Sequence, residues 1–116
     1  MKKNLLTLII VFAACAAQAQ WLQQNANFAY EGYLNDIEIV DANTVWANPW
    51  DALATTPYTR DFVRTIDGGN TWTVGTVTQS AANNLISNIW PIDANTCYVA
   101  MYVNGAAGGD VYKTTD

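Results

Sequence analysis

Short runs of alternating apolar and polar residues, separated by Asn, Asp, Gly and Pro clusters, fill the chain from residue 36 onward. In residues 36–40, Ile37 and Ile39 fall on one face of a two-residue period and predict a strand. Residues 44–47 predict a second. Residues 61–66 predict a third, with Phe62 and Val63 pointing to opposite faces. Residues 72–77 predict a fourth, with Trp72, Val74 and Thr76 on one side and Thr73, Gly75 and Val77 on the other. Val, Ile, Thr and Trp dominate these runs, and such side chains suit a pleated, half-buried surface. The polar clusters between them carry turn chemistry. No window beyond the N-terminal apolar stretch has a 3.6-residue apolar period.

The pattern then repeats. Asp41-Ala42-Asn43-Thr44 recurs as Asp93-Ala94-Asn95-Thr96, an offset of 52, and Ile37 and Val40 match Ile89 and Ile92. Thr65-Ile66-Asp67 recurs as Thr114-Thr115-Asp116, an offset of 49, and Trp21 matches Trp72, an offset of 51. Repeat 1 covers about residues 34–77 and repeat 2 about residues 85–116. Four short strands in about 50 residues is the length of one β-propeller blade. A β-sandwich explains the strands but not the repeat. The expected fold class is therefore all-β: about one and three-quarter four-stranded antiparallel repeats of an incomplete propeller. Pro91 falls inside the first strand of repeat 2, which places that strand at a sheet edge. Trp21 would belong to a fourth strand with no earlier strands before it.

The N-terminus changes the picture of location. Lys2 and Lys3 precede an apolar stretch from Leu5 to Ala14, and Ala17-Gln18-Ala19 has the small-x-small pattern of a cleavage site. Residues 1–19 read as a secretory signal peptide, leaving residues 20–116 as the folded part. The stretch is too short for the ~20 residues of a membrane span. Alternatively, Phe12-Ala13-Ala14-Cys15 resembles a lipobox, with Phe where Leu, Val or Ile is usual. Acylation of Cys15 would change location and leave the fold alone. Cleavage removes Cys15, so Cys97 stands in the folded part without a partner and reads as a small buried hydrophobe.

Composition excludes whole classes of chemistry. Ten acidic side chains face five basic ones, so there is no basic patch for nucleic acid. The chain has no histidine, which removes Ser-His-Asp and Cys-His catalysis and His-based metal sites. No cofactor is called for.

One stretch carries a motif. Thr65-Ile66-Asp67-Gly68-Gly69-Asn70-Thr71-Trp72 fits Ser/Thr-x-Asp-x-Gly-x-Thr-Trp at every defined position. It resembles the Asp-box, or bacterial neuraminidase repeat, of a β-propeller superfamily. That family includes sialidases, xyloglucan-cleaving hydrolases, sortilin-type receptors and propellers similar to photosystem II assembly factors. Val111-Tyr112-Lys113-Thr114-Thr115-Asp116 looks like the front half of a second box, with Thr114 and Asp116 at its defined positions. The resemblance implies an N-terminal part of a longer propeller, and a box that is structural and away from any active site. The residues agree. Asp67 can accept hydrogen bonds from its own turn, Gly68 or Gly69 can take positive φ, and Trp72 offers apolar surface. A calcium loop would need more oxygen ligands at alternating positions, so no metal is expected.

The connections opposite the box form the candidate ligand face. Residues 48–60 carry Trp50, Asp51, Tyr58 and Arg60; the connection before the first repeat carries Phe28, Tyr30, Glu31 and Tyr33. Residues 79–84 and 104–110 form the corresponding connections of the second repeat. Trp50 and Tyr58 could stack on sugar rings, and Asp51 or Glu31 could act as acid or base. The plainer reading has the aromatics packing the loop and the carboxylates solvated. The sialidases' Arg-Ile-Pro motif is absent, since neither Arg60 nor Arg64 precedes Ile-Pro. So is the Gly-rich opening of the xyloglucan-cleaving hydrolases. The expectation is a secreted or cell-surface, non-catalytic propeller binding a carbohydrate or a cell-surface protein. The alternative is an extracellular glycoside hydrolase, sialidase-like or xyloglucanase-like, whose catalytic residues lie in further blades. A photosystem II-type assembly factor is a third reading.

Overall fold

The alternating runs form seven strands and, among the described residues, no helix. A computed structural model describes residues 20–28, 32–51 and 60–115. The leader 1–19 with Cys15, the residues Tyr30, Glu31 and Tyr58, and Asp116 lie outside the described residues. The strands are β1 (Gly32–Ile39), β2 (Val45–Asp51), β3 (Asp61–Thr65), β4 (Thr73–Thr76), β5 (Asn84–Pro91), β6 (Cys97–Val103) and β7 (Gly109–Thr114). They build two antiparallel meanders, a four-stranded sheet β1-β2-β3-β4 and a three-stranded sheet β5-β6-β7.

The repeat holds at the level of register. Ile37 pairs with Ala47, and Ile89 with Val99; Ile39 pairs with Val45, and Pro91 with Cys97. Every β1–β2 pair recurs in β5–β6 at the 52-residue offset, including a bulge at Asn35 that returns at Ser87. A bulge bends a strand and strengthens its twist, so both sheets bend at the same place. The third strands follow at the 49-residue offset: Val45 pairs with Thr65, and Cys97 with Thr114.

The two prolines among the described residues sit where a ladder tolerates them. Pro91 lies on β5, an edge strand, as its missing N–H requires. Pro49 lies in β2, a central strand, but beyond the last β2–β3 pair, Ala47 with Val63.

Strand bounds differ from the sequence expectation, β1 among them, which begins at Gly32 rather than Asp36. β2 runs on through Asp51, so Trp50 sits on a strand rather than in a loop. β7 begins at Gly109, which shortens the expected 104–110 connection. Residues 20–28 form no strand, and Trp21 is fully exposed rather than paired in a fourth-strand position.

The core lies between the sheets. Trp46 and Val77 from the first sheet pack with Ile86, Ile89, Cys97, Val99 and Met101 from the second; Val40, Phe62 and Tyr112 close the sides. Phe62 stacks on Trp46 at 5.2 Å. Its ring also lies over Gly75, its direct partner across the strand pair, where any Cβ would collide with it. On the other face of the first sheet Ala47, Val63 and Thr65 are buried, while Leu34, Ile37, Ile39 and Val74 around them are exposed.

Candidate functional site

The turn after β3 is closed by its own side chains. The Asp67 carboxylate accepts from the Thr65 hydroxyl at 2.8 Å, the Thr71 N–H at 2.9 Å and the Thr71 hydroxyl at 2.6 Å. The Thr65 hydroxyl also accepts from the Gly69 N–H at 2.9 Å. Gly68 and Gly69 both have positive φ, 70° and 89°, which only glycine adopts without strain. The Thr71 hydroxyl first, then the Thr71 N–H and the Thr65 hydroxyl, hold the Asp67 carboxyl below its ordinary range. Those oxygens are committed to the turn, so Asp67 has the environment of a structural carboxylate rather than of a raised-pKa general acid. Trp72 is half-buried just before β4 and stays outside the core cluster. Thr114 ends β7 as Thr65 ends β3.

The two Asp-Ala-Asn-Thr turns are matched in geometry. Asp41 accepts from the Asn43 and Thr44 N–H groups at 2.7 and 2.8 Å, and Asp93 from those of Asn95 and Thr96 at 2.7 Å each. These backbone donors lower both carboxyl pKa values. The Gly68 N–H donates to the Asn43 carbonyl at 3.0 Å, which puts the 41–44 turn and the 65–72 turn at one end of the sheet. Sequence reasoning placed both turns but missed what the second one does. The Trp46 indole N–H donates to the Asp93 carbonyl at 3.2 Å, and Arg64 to the Ala94 carbonyl at 2.5 Å. The Arg64 guanidinium lies 5.1 Å from the Trp46 ring centroid. A stacked Trp–Arg pair on the first sheet therefore grips the turn of the second.

The opposite end carries the candidate ligand face. Tyr33 and Trp50 are direct partners across β1–β2, at 69% and 42% exposure. Direct cross-strand neighbours have Cβ atoms about 5 Å apart, so two accessible aromatic side chains stand side by side on one face. Sequence reasoning misses this neighbour relation because turn formers flank both residues; the 52-residue offset from Tyr33 to Leu85 is the signal that could find it. Asp51 ends β2, and its side chain lies outside the described set. Arg60 donates to the Ser80 carbonyl at 2.9 Å and so ties two connections together instead of reaching for solvent. Asn48, two positions from Trp50 on the same face, is buried, and neither its carbonyl oxygen nor its amide nitrogen has a partner.

Elsewhere the sheets leave a groove of about 510 Å³, lined by Trp46, Phe62, Val77, Cys97, Val99 and Tyr112 among others. Burial pushes the Cys97 thiol up to about 11. It stays protonated at neutral pH, as a core thiol does. Among the described residues no cluster of His, Cys, Asp and Glu could hold a metal ion, and no helix is long and apolar enough to cross a membrane. No family model matches the chain, and no curated protein or solved structure matches it.

Proposed function

We propose that the chain contributes two consecutive repeats to an Asp-box β-propeller that works outside the cytoplasm as a non-catalytic binding module, with a glycan as the favoured ligand and a protein surface as the other. The exposed Tyr33–Trp50 pair carries the reading. Flat aromatic faces on paired strands offer large contact area at little cost in side-chain entropy, and a sugar ring presents a matching C–H face. The matched register of the two sheets and the self-satisfied 65–72 turn support the propeller part of the reading. The leader-like residues 1–19 support export.

Tryptophan fluorescence during titration with β-glucan oligosaccharides and sialyllactose tests it. Saturable quenching by at least one sugar is expected, with Trp50→Ala weakening that binding at least tenfold. Unchanged binding in Trp50→Ala would remove this pair as the site. No response to any sugar would leave the protein-surface ligand.

A further inference from the structure

Asp67-Gly68 and Asn104-Gly105 each place a glycine directly after a side chain whose Cγ that glycine's nitrogen can reach to close a cyclic imide. Every other asparagine of the chain precedes a residue with a Cβ, which crowds the attacking nitrogen. The fold treats these two steps in opposite ways. At Asp67-Gly68 the nucleophile is engaged, because the Gly68 N–H donates to the Asn43 carbonyl at 3.0 Å. The Asp67 carboxylate accepts from the Thr71 hydroxyl, the Thr71 N–H and the Thr65 hydroxyl. Those donors keep it ionised, and an ionised carboxylate is a poor electrophile.

At Asn104-Gly105 nothing is engaged. The step lies in the turn between β6 and β7, closed by the Val103 N–H to the Gly108 carbonyl at 3.2 Å and the Ala106 N–H to the Val103 carbonyl at 3.4 Å. Asn104 is exposed, and among the described residues its side-chain amide has no hydrogen-bond partner. The Gly105 N–H donates to no carbonyl of the turn. Gly105 has a φ of 76°, and no atom lies within 4 Å of the place a Cβ would take.

We propose that Asn104 is a site of spontaneous deamidation, while the Asp67-Gly68 step is held closed to the same reaction. Base removes the Gly105 amide proton, and that nitrogen bonds to Asn104 Cγ. The Cγ–Nδ2 bond breaks, and ammonia leaves with a proton returned from the base. Water then opens the cyclic imide at either carbonyl. Opening at Cγ leaves an aspartyl residue. Opening at the main-chain carbonyl leaves an isoaspartyl residue, with the side-chain methylene now in the backbone. Both products add a negative charge beside residues 79–84, since the Asn104 N–H donates to the Asn83 carbonyl at 3.1 Å. The isoaspartyl form also lengthens the turn inside the Val103–Gly108 bond, so it disturbs the last β5–β6 pair, Asn84 with Val103. The inference rests on the turn alone and holds whatever the chain binds.

Peptide mapping by mass spectrometry, after the folded full chain has stood at mildly alkaline pH, tests it. Isoaspartyl methyltransferase supplies the label for isoaspartate. Position 104 is expected to lose its amide at least tenfold faster than any other asparagine and to take up label, while Asp67 stays unlabelled. Asn104→Ser is expected to abolish the label and leave the urea midpoint unchanged. Amide loss at position 104 no faster than at other asparagines overturns the proposal. Label at Asp67 in the folded chain, or label in Asn104→Ser equal to wild type, overturns it too.

Discussion

Thr65 shows how much one hydroxyl does in this protein. It is almost fully buried, accepts from the Gly69 N–H and donates to Asp67. Thr65→Val keeps the shape and removes these bonds and a longer one from the Asp67 N–H, leaving the buried Gly69 N–H without this acceptor. The expected cost is about 1–3 kcal/mol, read as a lower urea midpoint; an unchanged midpoint would mean that the turn is not held by this residue. Its partner Asp67, with Asp41 and Asp93, makes a second expectation. All three carboxyls are held below their ordinary value of 3.8 by donors in their own turns. A depressed native pKa stabilises the fold above the unfolded value and ceases to do so as pH falls through the native one. The urea midpoint is expected to stay level from neutrality to about pH 5 and to fall progressively below about pH 4. A midpoint that holds at pH 3 would show that these turns contribute little. Motif spacing made the Asp67 turn legible, because its bonds are local. It could not show that Arg60 spends its guanidinium on the Ser80 carbonyl, a contact between two different connections.

At the scale of the strand, glycine and aromatic are paired by register. Gly75 has an ordinary strand conformation, so its conformational freedom is not what makes glycine the fit there; the space above it is filled by the Phe62 ring. Gly75→Ala must push that ring off Gly75 and, with it, disturb the stack on Trp46. Overpacking of this kind costs about 1–3 kcal/mol, and the denaturation midpoint of Gly75→Ala is expected to fall accordingly. A midpoint equal to wild type would mean that the ring moves aside freely. The period-two pattern located all the strands of the first sheet within a few residues. It ended β2 too early, since Asn48 and Pro49 are turn formers taken alone. Pairing with Leu34 and Asp36 overrides that local preference and carries Trp50 onto the sheet beside Tyr33.

The described residues form two bent sheets sharing one apolar layer, with Cys97 in that layer and the stacked Trp46–Arg64 pair at its rim. The same offset that generates this layer also leaves Ile37 and Ile39 exposed on one outer face and Trp90 and Val111 on the other. Apolar residues exposed together on a sheet face mark a surface built to be covered.

The strands, the 52-residue repeat, the edge position of β5 and the self-closed 65–72 turn are legible in the linear sequence. Each depends on residues close in the chain or on a periodicity that survives without knowledge of packing. Which of the two equivalent isoleucine positions is buried follows from packing between sheets. Ile37 and Ile89 share a pattern and a register position, yet Ile89 is in the core and Ile37 lies open. A period of two says that a strand has an apolar side; whether another sheet covers that side depends on residues far away in sequence. The grip of Trp46 and Arg64 on the 93–96 turn is hidden from a linear reading for the same reason, because it joins residues 47 and 30 positions apart.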